Sequence, residues 1–233
     1  MSDILLQEFQ KRRSEIDCYF ALLSIIESGS CSVTSTSIDG RTQTCEVNDE
    51  LSTILKANGF LLLYNLIEST VRKSIEMILD TLYNEGVSYK SLSSKLKKIW
   101  ISQHTLPLKK GIDAITYNKI HHLMFEMADH IVNDHIMRLE TDCIRISGNI
   151  DAKEIRSIAT QIGFESSENG RDLVTIKEKR NHLAHGEKSF AEVGRDYSIK
   201  DLILFKDRTY SHLEDVIQKI IAYVSNKSYV EAQ

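Results

Sequence analysis

Arg180, Asn181 and His185 are the residues of this chain whose types and spacing best suit chemistry. Arg180 falls on one helical stripe with Leu173, Ile176, Leu183 and Ala184, the buried side of an amphipathic helix predicted over residues 170–186. A guanidinium stays charged and is costly to desolvate, so on that stripe it needs a partner, a wet cleft or an anion. Asn181 and His185 lie four residues apart on the adjacent face, within reach of each other, whereas His182 points almost the opposite way from Arg180. Gly186 can supply the left-handed residue that ends the helix, which leaves His185 in the last turn, where the dipole favours an imidazolium.

A fixed cation, a titratable ring and an amide at one helix end suit cleavage of an RNA phosphodiester. An imidazole, with an ordinary pKa of about 6.5, can take the proton of a ribose 2′-hydroxyl or give one to the leaving 5′-oxygen. An arginine beside it can bind the scissile phosphate and stabilise the charge that grows on its non-bridging oxygens, with no metal or other cofactor required. The same residues also fit a structural role, with the arginine on helix-end carbonyls and the histidine as a C-terminal cap. Spacing alone leaves both open.

The elements that must position these residues are mainly helical. One proline, Pro107, occurs among 233 residues, and long stretches carry a helical period. Residues 1–28 read as a helix with Ile4, Leu5, Phe9, Ile16, Phe20, Leu23 and Ile26 inward. Residues 30–47 switch to Ser, Thr and Val around Asp39-Gly40, which predicts a small hairpin with a type I′ turn. A helical core follows over residues 48–225. In it Asn48 or Asp49 caps a long helix to about Asn84, Asp151 caps another that ends at Gly163, and Ser198 caps the last. Gly59, inside the long helix, marks a possible close approach by a neighbour. Cys143 to Ile146 has strand character.

Three further stretches bear on function. Val87 to Gly111 holds six lysines (Lys90, Lys95, Lys97, Lys98, Lys109 and Lys110) and no acid, with Tyr89 and Trp100 interleaved. Lys97, Lys98 and Trp100 are the candidates there for holding phosphates and stacking a base, against the plainer reading of a solvated face. Glu68 and Arg72, four apart, read as a surface pair, with Glu68 a further candidate beside the cleft. His122, Glu126 and His130 repeat every four residues, yet Ile120, Leu123, Met124, Met127, Ile131 and Val132 make theirs an ordinary amphipathic helix, and no metal site is expected.

Composition narrows the class. Hydrophobic residues make up 42% and charged ones 27%, ordinary for a globular protein, and the net charge of −4 is not that of a tight nucleic-acid binder. Cys18, Cys31, Cys45 and Cys143 are scattered, without zinc-site pairing, which suits reduced thiols in a cytoplasm. The longest apolar run, Phe60 to Tyr64, is far short of the roughly 20 residues that span a bilayer, so neither membrane insertion nor export is expected. No glycine-rich phosphate loop and no GxSxG elbow appears.

Arg180-Asn181-His182-Leu183-Ala184-His185 resembles the signature of the HEPN superfamily, an arginine followed after four to six residues by a histidine, with a polar residue directly after the arginine. The run Gly186 to Arg195 resembles bacterial HEPN-like nucleases of toxin and phage-defence loci, and Phe60 to Arg72 resembles the first long helix of that group. The resemblance covers residues 48–225 and implies a HEPN-type helical bundle, read as one domain over residues 1–233 with the 30–47 insertion, and metal-independent endoribonuclease activity. It carries Arg180 and His185 over as catalytic residues and Asn181 as their polar helper. It also implies a homodimer with two motif helices facing one cleft, RNA as substrate, and a cognate antitoxin or defence-system partner. A non-catalytic module of the same fold, binding RNA or protein, is the alternative. One branch of the superfamily has a tyrosine two residues beyond the histidine that a partner modifies. Glu187 stands there.

Overall fold

A computed structural model describes residues 2–109, 117–144, 146 and 148–231. Its described residues form eight α-helices and one two-stranded antiparallel sheet. Lys110 and Gly111, the end of the lysine-rich stretch, lie outside them.

The axis of the bundle is α2, Asp49–Asn84, 36 residues long. Asn48 starts it by accepting the Leu51 amide at 2.9 Å, and Asp49 and Glu50 in its first turn complement the helix dipole. From Ala57 to Leu82 it is apolar around much of its circumference, and α1 (Ser2–Glu27), α6 (Asp172–Ala184), α7 (Phe190–Arg195) and α8 (Ile199–Ser225) pack on it. Leu63, Tyr64, Leu66, Ile67, Ile75 and Ile78 are at most 1% exposed, which makes α2 the centre of the core. On α1, Leu5, Phe9, Ile16, Phe20, Leu23 and Ile26 face that core as the periodicity predicts. Ile4 does not: at the start of the helix it is 62% exposed.

Three helices remain, α3 (Ser94–Lys109), α4 (Tyr117–Val132) and α5 (Ala152–Ile162), with α3 against α5. The turn at Thr141–Cys143 links α3 among them to α2. Asp151 caps α5, accepting the Glu154 amide at 2.9 Å, and Gly163 closes it. Arg145 lies outside the described residues; at Cys143, Ile144 and Ile146 the expected strand character is not realised. Thr141–Cys143 is a 3-10 turn in which Cys143 and Ile144 donate to the carbonyls of Glu140 and Thr141, and both side chains are buried; apolar burial, not a ladder, is what this β-prone stretch serves.

The hairpin forms from β1 (Ser32–Thr36) and β2 (Thr42–Glu46), paired from Ser32 with Glu46 to Thr36 with Thr42. Its turn differs from the expected type I′. Ser37 donates to the Arg41 carbonyl and Gly40 to that of Ser37, so three residues form the loop. Only Gly40, at φ 82°, is left-handed there, where a type I′ turn needs two such residues. Every residue of both strands is exposed.

The short helix α7 is not evident from apolar periodicity, yet its start is legible as Ser-x-x-Glu. Ser189 accepts the Glu192 amide at 3.2 Å and donates its own amide to the Glu192 carboxylate at 2.7 Å, a capping box. Gly194 is where α7 meets α2. A Cβ at that position would lie 1.8 Å from the Thr53 carbonyl oxygen, so backbone packs on backbone. Gly59 is less demanding, since a Cβ there would make ordinary contact with Phe20 at 3.5 Å. Gly194→Ala is therefore expected to cost about 1–3 kcal/mol or more in urea unfolding. Gly59→Ala should gain about 0.5–1 kcal/mol from helix propensity. Equal effects of the two would contradict this packing.

Candidate active site

The motif helix α6 is fixed from both sides before it reaches Arg180. Upstream, Ser167 Oγ lies 3.1 Å from His212 Nδ1 on α8, and Lys219 donates to the Ser166 carbonyl at 2.9 Å. Burial holds the His212 imidazole below its ordinary pKa, so it sits there neutral. On α6 itself, Lys177 pairs with Asp151, the cap of α5. Burial pushes the Asp151 carboxyl up, but the Lys177 ammonium and the amides of Glu154 and Lys153 outweigh it and hold the group below its ordinary range.

Leu173, Ile176 and Leu183 are buried, so the inner stripe is real, and Arg180 lies on it. Ala184 departs from expectation: it is exposed, because the helix ends there. The Arg180 side chain keeps 28% of its exposure and makes two contacts with α2 and one with its own neighbour on α6. Its guanidinium carbon stands 4.4 Å from the centre of the Tyr64 ring. Its Nη2 is 4.0 Å from Glu68 Oε2, and its Nη1 donates to Asn181 Oδ1 at 3.0 Å. Glu68 also accepts from Arg72 Nε at 3.0 Å, so the expected surface pair forms and the same carboxylate faces Arg180.

Tyr64 was visible in the sequence only as part of an apolar run. Fully buried, it carries Arg180 on its ring while its hydroxyl donates to the Gly148 carbonyl at 2.7 Å and accepts the Ile150 amide at 3.1 Å. Burial raises its pKa, and the Ile150 amide and the Arg180 charge only partly oppose that. One neutral phenol thus links α2, the segment before α5 and the guanidinium.

His185 caps α6, donating its amide to the Asn181 carbonyl at 2.9 Å, and Gly186 follows at φ 69°, the left-handed turn expected there. The His185 ring is exposed and shares an outward stripe with Val174, Glu178 and Asn181. The Asn181 amide oxygen turns to Arg180 rather than to His185, contrary to the reach inferred from four-residue spacing. His182 is on another face, with Nε2 3.6 Å from Glu187 Oε2 and a buried Nδ1 that has no hydrogen-bond partner.

Arg180, Asn181 and Glu68 are brought together; the α3 candidates stand apart from them. Lys98 is exposed, while Lys97 pairs with Glu231 near the end of the chain. Trp100 is the clear correction. It is 1% exposed, its ring centre 5.1 Å from that of Tyr89 and 4.1 Å from that of His104, so no face is left for a base. Leu96, Ile99 and Trp100 share an inner stripe, the signal that the lysine pattern concealed. His122 lies 3.2 Å from Glu126, whereas His130 packs near Trp100. Among the described residues no cluster of His, Cys, Asp and Glu is placed to hold a metal ion.

A helical bundle in which an Arg-x4-His helix lies against a long first core helix defines a class. The chain belongs to it: it matches the HEPN_MAE_28990-like HEPN family over residues 1–229. That membership suggests a nuclease or RNA-binding function. No curated protein and no solved structure matches the chain. Among the described residues no helix is long and apolar enough to cross a membrane.

Two outcomes follow from this geometry. Because the folded Asp151 carboxyl lies below its ordinary value, its stabilising effect is complete above the unfolded value of about 3.9 and disappears as pH falls through the folded one. The stability difference between wild type and Asp151→Asn should be constant from about pH 5 to 8 and shrink below about pH 4 in pH-stepped urea unfolding. Tyr64→Phe should cost about 1–3 kcal/mol and speed amide exchange at Ile150, because the Gly148 carbonyl and the Ile150 amide lose their shared partner. Unchanged exchange there would remove the linking role of the hydroxyl.

Proposed function

We propose that this protein is a metal-independent endoribonuclease of the HEPN type, acting as a homodimer in toxin–antitoxin or antiphage defence together with a cognate partner protein. The observation that carries the reading is the state of Arg180. Its guanidinium is partly buried on a buried tyrosine ring, near a single carboxylate 4.0 Å away that also serves a second arginine. A cation so held and so weakly neutralised is ready for a phosphate.

The reaction would be attack of a ribose 2′-hydroxyl on the adjacent phosphorus, breaking the bond to the 5′-oxygen. The products are a 2′,3′-cyclic phosphate and a 5′-hydroxyl. His185, exposed at the helix end, transfers protons between the attacking and leaving oxygens. Arg180 binds the non-bridging oxygens and stabilises their growing charge. Asn181, bonded to Arg180, fixes the direction of the guanidinium. The outward stripe of Val174, Glu178, Asn181 and His185 is the surface a second motif helix would face across a shared cleft. Lys98 is an exposed positive charge for the rest of the strand.

Cleavage of a mixed RNA pool in excess EDTA tests the assignment. Wild type should leave cyclic-phosphate ends, and Arg180→Ala and His185→Ala should each lower the rate by about a hundred-fold or more with the fold intact by circular dichroism. Binding of RNA by folded protein without any cleavage would favour the alternative, a non-catalytic HEPN module.

A further inference from the structure

The contacts of Arg180 leave one neighbouring group without a role. Tyr64, Glu68 and Arg72 recur every four residues on α2 and so form one stripe along its surface. Tyr64 lies under Arg180, Glu68 stands between the two arginines, and the charges of Arg180, Glu68 and Arg72 all act on the Tyr64 phenol. Glu68 uses one oxygen for Arg72 at 3.0 Å and points the other at Arg180 at 4.0 Å. One carboxylate neutralises one guanidinium, so this patch keeps a net positive charge. The Arg72 side chain is 43% exposed, well above the 28% of Arg180, and an exposed pair of this kind adds little to stability.

We propose that Arg72 is a phosphate-binding residue, one that holds the phosphate next to the scissile one along a single RNA strand. The proposal rests on the ribonuclease reading of Arg180 and His185. The two guanidiniums flank one carboxylate, 3.0 and 4.0 Å from its two oxygens, so one extended strand can reach both. Beyond Arg180 the chain runs towards the N-terminal end of α2, where Gly194 meets Thr53, whereas Arg72 lies further along α2 in the other direction. His185 and Arg72 thus lead away from the guanidinium of Arg180 on opposite sides. A strand crossing the three would present one phosphate to Arg180, its ribose to His185 and a neighbouring phosphate to Arg72. Glu68, 26% exposed, holds Arg72 by its Nε, and its charge deters an anion from settling between the two arginines.

Short substrates separate this role from a general one. A dinucleotide contains only the scissile phosphate. Two trinucleotides, each with a 2′-hydroxyl at one cleavable position and deoxyribose elsewhere, add a phosphate on the 5′ or the 3′ side. With Arg72→Gln the dinucleotide should be cut with kcat/KM unchanged within about two-fold, while one of the two trinucleotides should lose about ten-fold, mostly in KM. Arg72→Lys, which keeps the charge, should restore most of that loss. Equal losses on all three substrates would overturn the proposal, since they would mean that Glu68, freed of Arg72, has drawn Arg180 away. No loss on any would overturn it too. A binding arm does not depend on cleavage. For an all-deoxy single strand, titrated between low and high salt, Arg72→Gln should lower the salt slope by about 0.7. A wild type that cuts nothing sinks the ribonuclease reading, and the binding arm then decides on Arg72; an unchanged slope, or no binding by wild type, overturns it.

Discussion

Burial of α2 on most of its circumference is the constraint from which the rest of the structure follows. Its buried positions from Ala57 to Leu82 are mainly apolar, with Thr70, Ser74 and Thr81 among them, while Glu68, Arg72, Lys73, Glu76 and Asp80 keep to its less buried side. Four helices then settle on it, and where a charge does reach it the terms are narrow. Arg180 arrives from α6 on the inner stripe and finds an aromatic face, a carboxylate at the limit of pairing distance and its own neighbour's amide. Those contacts offset its lost hydration only in part, because none is a close pair with an opposite charge. The bundle therefore tolerates a cation that is rigid but underserved, a state that stability alone would not select.

Rigidity at that point comes from elsewhere. Lys177 and Asp151 tie the motif helix to α5, His212 and Lys219 tie the preceding loop to α8, and Gly194 lets the following helix lie backbone to backbone on α2. Helix α6 is thereby held in the loop before it, at Lys177 ahead of the motif, and by the helix that follows. Its outward stripe, Ala184 and His185 are left to solvent, with His185 five residues from the partly buried Arg180.

Much of this was legible in the sequence because it is local. Caps at Asn48, Asp151 and Ser198, the left-handed Gly186 and the inner stripe of α1 all depend on residues within a few positions of one another. What stayed hidden depends on partners far apart in the chain. Tyr64 reads as one more apolar residue until the Gly148 carbonyl and Arg180 are seen beside it. Asn181 was within reach of His185 by spacing, yet it turned to the stronger donor next door. Trp100 stands among lysines in the sequence, but its place beside Leu96 and Ile99 on the inner side of α3 buries it. The hairpin was expected, but its loop took three residues, since Asp39 stays out of the left-handed region that a two-residue turn requires.

That hairpin stands in a different relation to the chain from everything else described. No residue of either strand is buried, and the ladder and the 37–41 loop are its own. The bundle places no condition on its length, sequence or twist, and it places none on the bundle, beyond the need for α1 to reach α2. Such a ribbon is free to diverge at a pace set by whatever touches it. Related chains that share the whole helical frame can therefore differ most in this ribbon.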